Sequence, residues 1–130
     1  MAGRRSWGRL TQRQEFLKVA ASRRRWVAQG LILQVAESPG PEPKTVFRLG
    51  FTASRKVGGA VERNRARRRL KAAAAAVMTV HAARGMDYVL VARAETVRRP
   101  YAGLLADLER ALKGLRLWRQ EPQAAPAAKE

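Results

Sequence analysis

Apolar residues recur at helical spacing along one stretch near the middle of the chain. Between Gly59 and Gly85 there is no glycine or proline, and alanine fills positions 72–76, a composition that favours a helix. Positions i, i+4, i+7, i+11 and i+14 form one apolar stripe: Ala66, Leu70, Ala73, Val77 and Val80. The pattern predicts a long helix from about Ala60 that packs only a narrow face against a core.

Two other patterns predict strands. Residues 45–54 alternate apolar side chains with polar or small ones, which is typical of a strand with one buried and one polar face. Residues 30–36 and 86–92 are nearly continuous apolar runs, and the second is typical of a strand buried on both faces. We expect the polar face of the strand at 45–54 to line an open groove.

Two shorter helices complete the pattern. The first runs from Thr11 to about Ser22, and Thr11 and Gln14 have the spacing of a capping box. The last begins at Pro100 and carries leucines at helical spacing. The order helix, strands, helix, strand, helix predicts an α+β sandwich.

The length of 130 residues suits a single domain with one core. We expect a flexible basic arm at residues 1–9, a folded domain at 10–119 and a disordered tail at 120–130. The tail is rich in alanine, proline and charge, a composition that buries little apolar surface.

The charge of the chain indicates what kind of partner it binds. The formal net charge is +17, which points to a polyanion, nucleic acid first and an anionic membrane second. No apolar stretch is long enough to span a bilayer, and the absence of cysteine fits a reducing compartment. We therefore expect a cytoplasmic protein that binds nucleic acid and no membrane.

The cations concentrate at the start of the long helix. Residues 55–71 hold eight of the 27 Lys and Arg residues and one acid, Glu62. Arg63, Arg67 and Lys71 fall at i, i+4 spacing beside the apolar stripe. The far side carries three more arginines: Arg65, Arg68 and Arg69. Such a face suits phosphates, although a merely solvated face remains the alternative.

Candidate catalytic groups are sparse. The chain has ten Asp and Glu residues, and only Asp107 and Glu109 lie close together, at a spacing that puts them on different faces of a helix. His81 is the single histidine and lacks a partner for acid–base chemistry. Hydrolysis of a phosphodiester usually uses clustered carboxylates with metals or a pair of histidines. We expect a binding protein without a catalytic centre or metal site of its own.

One ordered motif goes beyond composition. Residues 48–68 read RLGFTASRKVGGAVERNRARR, with a strand, a Lys-Val-Gly elbow, Ala-Val and then Arg63-Asn64-Arg65. This stretch resembles the signature of the bacterial ribonuclease P protein subunit. The similarity extends from Leu10 to about Leu117.

The resemblance implies a fold and a function. The fold would have a central sheet of four strands, about three helices and a left-handed βαβ crossover that holds the basic helix. The partners would be a catalytic RNA subunit, which performs the cleavage with Mg²⁺, and precursor tRNA, whose 5′ leader is removed. The resemblance implies no DNA partner, and it makes the protein an enzyme component that is inactive alone.

The resemblance also implies site residues. The RNA-binding set is Arg55, Lys56, Arg63, Asn64, Arg65, Arg67 and Arg68, to which the helical spacing adds Lys71. The leader groove is expected to comprise Phe16, Gln34, Arg48 and Thr52. Two positions depart from the family pattern, because Ala20 and Gln34 stand where relatives carry aromatic residues. Plain core packing remains the alternative for Phe16.

Other classes of protein share parts of this pattern. A structural RNA-binding protein of the ribosomal type explains the charge but not the ordered motif. A nucleoid-like DNA-binding protein would normally present its helix in a helix-turn-helix or dimeric frame. A self-sufficient nuclease is opposed by the scattered carboxylates. No site is assigned to Trp7, Trp26 or Trp118.

Overall fold

A computed structural model of the chain describes residues 7–39 and 46–120. It contains three α-helices, five strands and two short 3₁₀ segments. The helices are α1 (Arg13–Ala21), α2 (Ala60–His81) and α3 (Tyr101–Gly114), and the 3₁₀ segments are Arg55–Val57 and Ala94–Val97. The strands are β1 (Gly8–Arg9), β2 (Arg25–Val27), β3 (Leu31–Glu37), β4 (Arg48–Thr52) and β5 (Met86–Ala92).

The strands form one mixed sheet in the order β1-β4-β5-β3-β2. β4 runs parallel to both β1 and β5, whereas β3 is antiparallel to β5 and to β2. The parallel neighbours β4 and β5 are joined through α2, so the basic helix is the crossover of a βαβ unit. The predicted α+β class is thereby confirmed, and the left-handed sense of the crossover stays an implication of the resemblance.

The two faces of the sheet have separate cores, as the alternation of side chains requires. On one face, α2 and α3 cover a large cluster that includes Leu33, Leu49 and Leu90. On the other face, α1 covers a small cluster of Leu10, Val19 and Val89. β5 contributes to both, which confirms the prediction that this strand is buried on its two faces.

The structure corrects the strand count and the end of the predicted arm. The sheet has five strands instead of four, because the two-residue β1 adds to one edge. Gly8 and Leu10 donate backbone N–H groups to the carbonyls of Phe47 and Leu49, each over 2.9 Å. Gly8 and Arg9, which were assigned to the arm, therefore belong to the sheet. Residues 1–6 and 121–130 of the predicted arm and tail lie outside the described residues. Within the described ranges, no helix is both long and apolar enough to cross a membrane.

The start of α1 also differs from the prediction by one residue. Gln12 is the N-cap, and the side chain that reaches back to the first backbone N–H groups of the helix is that of Glu15, not Gln14. Its Oε1 accepts the backbone N–H groups of Thr11 and Gln12, each over 2.9 Å. A carboxylate binds two N–H groups at a helix N-terminus better than an amide does, since the helix dipole favours negative charge there.

Candidate nucleic-acid interface

The basic helix begins at a glycine elbow. Gly58 has φ +145° and ψ −159°, a conformation that is essentially restricted to glycine. A Cβ at this position would also lie 2.9 Å from Cβ of Glu62. Gly59 follows as the N-cap of α2 and donates its N–H to Glu62 Oε1 over 3.0 Å. The elbow thus turns the chain from the end of β4 into α2, and Glu62 caps the helix.

The exposed side of α2 carries cations without acidic partners. Arg65, Arg68 and Lys71 are exposed, and so are Arg55 and Lys56 in the preceding 3₁₀ segment. In residues 7–39 and 46–120, none of these five side chains forms an ion pair with a carboxylate. Uncompensated charge of this kind favours the binding of phosphates, because each neutralised phosphate releases condensed counterions.

Asn64 contacts Arg67, a further arginine of α2. Its Oδ1 accepts a hydrogen bond from Arg67 Nη2 over 2.6 Å, across one turn of α2. Arg67 is half-buried, in contrast to its exposed neighbour Arg68. Asn64 therefore supplies Arg67 with a hydrogen-bond acceptor one turn earlier on the helix.

Two arginines of the helix serve the fold. Arg63 is half-buried and donates Nη1 to the carbonyl of Gly58 over 3.2 Å, which braces the elbow. Arg69 donates Nη1 to the carbonyls of Thr96 and Val97, each over 2.7 Å, and Nη2 to that of Arg99 over 2.6 Å. The placement of Arg69 on the free cationic side is thus wrong, because its guanidinium binds the segment after β5.

A cavity of about 190 Å³ lies where the basic helix meets the edge of the sheet. Phe16 from α1 and Phe51 from β4 provide its aromatic walls, and Arg9, Arg67 and Lys71 provide its cations. Lys71 Nζ lies 6.0 Å from the ring centroid of Phe51, at the outer limit of a cation–π contact.

Gly50 allows Phe16 to reach this position. A Cβ on Gly50 would fall 2.5 Å from Cε2 of the Phe16 ring, so only glycine leaves room for the aromatic side chain against the strand. The ring also packs against the small cluster under α1, yet it remains partly exposed. Phe16 therefore combines a packing role with an accessible aromatic surface.

Arg48 does not lie free in a groove. It donates to both carboxylate oxygens of Asp87 on β5, over 2.8 and 2.6 Å, and to Glu15 on α1 over 3.1 Å. Asp87 and Glu15 raise the pKa of Arg48 above its usual value, and the same contact helps to lower the pKa of Glu15. Ser38 Oγ donates to Asp87 Oδ1 over 2.7 Å. The network holds α1 on the sheet. The guanidinium of Arg48, which was expected in the leader groove, is therefore engaged in ion pairs.

Thr52 and Gln34 lie on the face of the sheet that α1 covers, and both are partly exposed. Thr52 is in register with Val91, and Gln34 with Val89. Neither residue lines the cavity beside Phe16. The four residues of the expected groove are therefore not brought together in one cavity.

A second cavity, of about 430 Å³, opens near the carboxyl ends of β4 and β5. Its lining includes Lys56 from the predicted set. It also includes residues that the sequence interpretation left out, among them Ser54, Val91 and Arg93. Arg9 and Phe51 were likewise missed at the first cavity. The sequence could have predicted Arg93 as a residue of this cavity. It directly follows the buried strand β5, and the carboxyl ends of parallel strands lie at the same edge of a sheet.

The carboxylates of the described residues are mostly committed to structure. Asp107 accepts two hydrogen bonds from Arg99, over 2.7 and 2.9 Å, and one from the N–H of Gly30 over 2.9 Å. Glu109 pairs with Lys113, which lowers the pKa of Glu109. Across residues 7–39 and 46–120, no group of three or more His, Asp or Glu side chains is placed to hold a metal ion. The acids thus stabilise the fold and do not converge on the basic face.

Comparisons with known proteins agree with this geometry. The family model described as Ribonuclease P matches residues 6–116. A "Ribonuclease P protein component" of Paramagnetospirillum magneticum is 55% identical over 106 residues, which cover 81% of this chain and 80% of the relative. The component of Ruegeria pomeroyi is 46% identical over 107 residues, which cover 82% of this chain and 84% of the relative.

Solved structures share the fold. The RNase P protein of Staphylococcus aureus superposes with a TM-score of 0.69 at 20% identity, over 85% of this chain and 97% of that protein. The RNase P protein of Thermotoga maritima gives a TM-score of 0.64 at 22% identity, over 83% of this chain and 94% of that protein. The family match over nearly the whole described chain, together with relatives this similar, shows that the chain belongs to the ribonuclease P protein family.

Proposed function

We propose that this protein assists a catalytic RNA in removing the 5′ leader of precursor tRNA. The observation that carries the proposal is the cationic surface of α2 and the 3₁₀ segment before it, whose exposed side chains form no ion pair within residues 7–39 and 46–120. Lys71 lines the first cavity and Lys56 lines the second. The Mg²⁺ used in cleavage would bind the RNA subunit, since within residues 7–39 and 46–120 no group of three or more His, Asp or Glu side chains is placed to hold a metal ion.

The exposed cations have the character of an RNA anchor. Arg65 and Arg68 point away from the core on a rigid helix, where their guanidinium groups are free to bind phosphates in pairs of hydrogen bonds. Folded RNA is recognised largely through its backbone and shape, which a long cationic face matches. We assign this face to assembly with the catalytic RNA.

The sheet side has the character of a single-strand site. Phe16 offers a partly exposed ring beside cations, and unpaired nucleotides bind by stacking on aromatic rings within a positively charged channel. Thr52 is paired with Val91, and Val91 and Lys56 line the second cavity. We assign this sheet side to the 5′ leader.

The decisive experiment reconstitutes the activity. Protein alone, RNA subunit alone and the two together are each incubated with a tRNA that carries a 5′ extension, over a series of Mg²⁺ concentrations. We expect cleavage at low Mg²⁺ only with both components, and none with protein alone. Cleavage by rigorously repurified protein without RNA would refute the proposal.

The two surfaces are separated by variants. Arg65→Ala should weaken assembly with the RNA subunit, whereas Phe16→Leu should weaken binding of leader-bearing precursor and leave leaderless tRNA almost unaffected. Leucine keeps the apolar packing against Gly50 and removes the stacking face. If Phe16→Leu weakens leader-bearing and leaderless tRNA equally, Phe16 is a packing residue and the leader binds elsewhere.

A further inference from the structure

Two helices of the protein end in an arginine whose backbone is left-handed. Arg23 follows the C-cap of α1 with a φ of 61°, and Arg116 follows the C-cap of α3 with a φ of 65°. This position is usually glycine, because a side chain strains a left-handed backbone. Within residues 7–39 and 46–120, no other residue apart from glycine has a positive φ. Each arginine therefore occupies a position at which glycine would fit with less strain.

The helix dipole does not account for these two arginines. Cations stabilise the last turn of a helix, and Lys18 in α1 and Lys113 in α3 already occupy that turn without leaving the helix. In the described ranges, neither Arg23 nor Arg116 forms an ion pair with a carboxylate. Both residues are exposed, so the strained backbone presents each guanidinium group to solvent.

The two arginines lie close to the same edge of the sheet. Arg24, which follows Arg23, donates Nη2 to the carbonyl of Leu115 over 2.6 Å, and Arg116 is the next residue. Since α1 and α3 cover opposite faces of the sheet, this hydrogen bond joins the ends of two helices across its edge. Arg23 and Arg116 therefore flank the edge from its two sides.

The edge between them is β2, the last strand of the sheet. The carbonyl of Arg24 and the N–H of Ala28 bond to β3, over 3.0 and 2.9 Å. Since backbone groups alternate in direction along a strand, the N–H groups of Arg25 and Val27 face away from β3. Backbone N–H groups are common ligands of nucleic-acid phosphates. The edge thus presents outward N–H groups next to two exposed guanidinium groups.

This edge is distinct from the surfaces assigned above. β2 lies three strand spacings from β4 in the sheet, or about 14 Å, and β4 borders the first cavity. The basic part of α2 begins at the elbow that follows β4. The arginines at the ends of α1 and α3 therefore lie at the opposite edge of the sheet from both.

α2 connects the two cationic regions as a spacer. Its exposed residues beyond Lys71 are Ala72, Ala75 and Ala76. Its last residue, His81, accepts at its carbonyl the N–H of Arg119, in the segment after α3, over 2.6 Å. At about 1.5 Å per residue, roughly 24 Å of helix separate Arg65 from His81. A stretch of helix with neutral exposed residues thus divides the basic start of α2 from the arginines at the far edge.

The β2 edge comprises the side chains of Arg23 and Arg116 and the outward N–H groups of Arg25 and Val27. We propose that it binds the phosphate backbone of the catalytic RNA at a segment separate from the one on α2. This proposal rests on the RNA-binding function proposed above and adds a second surface to it. The chemistry fits, because guanidinium groups and backbone N–H groups are suited to phosphate oxygens.

The catalytic RNA is the occupant that this arrangement favours. An RNA that is anchored on α2 meets the β2 edge at a high effective concentration, provided that its fold spans the domain. The leader is assigned to the surface beside Phe16, near the other edge of the sheet. One helix fixes the distance between the two contacts, so the pair selects a folded RNA of matching shape.

The double variant Arg23→Gly/Arg116→Gly separates this role from a role in folding. Glycine relieves the left-handed strain, so the melting temperature should hold or rise, by up to about 5 °C. The same variant should weaken assembly of the full-length protein with the RNA subunit about tenfold and flatten the slope of log K against log salt by roughly 1–2. A gain in stability together with a loss in binding is expected only if the arginines serve a ligand.

Two control variants accompany it. Arg23→Lys/Arg116→Lys keeps both charges and should retain most of the salt slope. Arg13→Ala/Arg110→Ala removes two exposed arginines from the same two helices but away from their carboxyl ends. It should flatten the slope by less than about 0.5, since it breaks no phosphate contact.

Backbone footprinting of the RNA subunit locates the contact. Wild-type protein should protect two separate segments, of which the glycine variant loses one and Arg65→Ala loses the other. With the protein at saturation, the affinity of the holoenzyme for leader-bearing and leaderless tRNA should be the same for the glycine variant as for wild type. A loss confined to tRNA affinity would overturn the assignment to the catalytic RNA.

The inference is also overturned if the glycine variant assembles with the affinity and salt slope of wild type, or if its melting temperature falls along with its affinity. In the second case the arginines serve the fold. Precursor cleavage by the wild-type holoenzyme and weakened assembly of Arg65→Ala would persist in both cases. Failure of this inference is therefore distinguishable from failure of the proposed function.

Discussion

Arg48 on β4 and Asp87 on β5 form a two-pronged ion pair, in which Nε and Nη2 of the guanidinium donate to the two carboxylate oxygens over 2.8 and 2.6 Å. The carboxylate is nearly buried, with 5% of its side chain exposed, against 29% for Arg48. Since Glu15 binds the same guanidinium, the pair fixes α1 on the sheet. It thereby sets the position of Phe16 beside its cavity.

Substitution of Arg48 should therefore reduce the stability of the fold more than it reduces RNA binding. We expect Arg48→Ala to lower the free energy of unfolding by about 2–3 kcal/mol, because Asp87 is left as a buried charge without its partner. Urea denaturation measures this change, and Asp87→Asn in the same background should recover part of it. An Arg48→Ala variant of unchanged stability but weakened leader binding would instead make Arg48 an RNA contact.

Arg69 should behave differently from Arg65 although both lie on the basic helix. Arg69→Ala should lower the free energy of unfolding by about 2 kcal/mol, since three carbonyls lose a charged donor. Arg65→Ala, the control, should change it by less than about 0.5 kcal/mol, as is usual for an exposed site. Thermal denaturation compares the stability of the two variants, and their RNA affinity is measured alongside. Equal stability of the two variants would contradict the structural role of Arg69.

The salt dependence of RNA binding should report the exposed cations. The slope of log K against log salt changes by about 0.9 for each phosphate contact on a duplex. The double variant Arg65→Ala/Arg68→Ala should thus flatten the slope for the RNA subunit by roughly 1–2, with the circular dichroism spectrum unchanged. An unaltered slope together with unaltered affinity would show that this face points to solvent in the complex.

The two glycines of the elbow provide a matched pair. Gly58→Ala should destabilise the protein by about 1–3 kcal/mol, because φ is +145° and the new Cβ would lie 2.9 Å from Glu62 Cβ. Gly59→Ala should cost less than about 1 kcal/mol, since φ is −77° and the nearest atom, at 3.3 Å, is the end of a flexible carboxylate. Denaturant unfolding of both variants checks the order, and equal losses would contradict it.

The capping carboxylate of α1 should make stability depend on pH. Backbone N–H groups of Gln12 and Thr11, together with Arg48, lower the pKa of Glu15 below its ordinary value of 4.5. A lowered pKa in the folded state gives a stabilising contribution that is complete above pH 4.5 and is lost as the pH falls through the folded-state value.

Glu15→Gln isolates this contribution. The wild-type protein should be more stable than the variant at neutral pH, by about 1 kcal/mol for a cap, and the difference should shrink in acid. Thermal denaturation of both proteins over a pH series measures it. A difference that stays constant across the series would mean that the charge of Glu15 does not contribute.

Local pattern in the sequence was sufficient for the main elements of the fold. The stripe from Ala66 to Val80 predicted α2, and the alternation around Leu49 predicted β4 with its buried and polar faces. The glycine pair at positions 58 and 59 predicted the elbow. The arginines of residues 55–71, which have only one acid among them, predicted the charged face. These features follow from the spacing of side chains within one element, which the chain specifies over a few residues.

Short elements carried too little pattern to be predicted. β1 has two residues and β2 has three, fewer than the alternation of a strand needs in order to be seen. Each exists because a longer strand, β4 or β3, offers it an edge. The capping residue of α1 also differs from the prediction because of a contact with the sheet: Glu15 binds Arg48 on β4.

Only the tertiary structure decided which arginines are free. Arg48 meets Asp87 from 39 positions away and Arg69 meets Thr96 from 27 positions away, so neither partner is visible in the local sequence. The same holds for the cavity in which Phe16, Phe51 and Arg67 converge from three elements. The sequence by itself determined that the protein is a cationic α+β domain with an arginine-rich helix. The packing of distant elements decided which cations stabilise the fold and which remain exposed, because a guanidinium binds whatever carboxylate or carbonyl the folded chain places within reach.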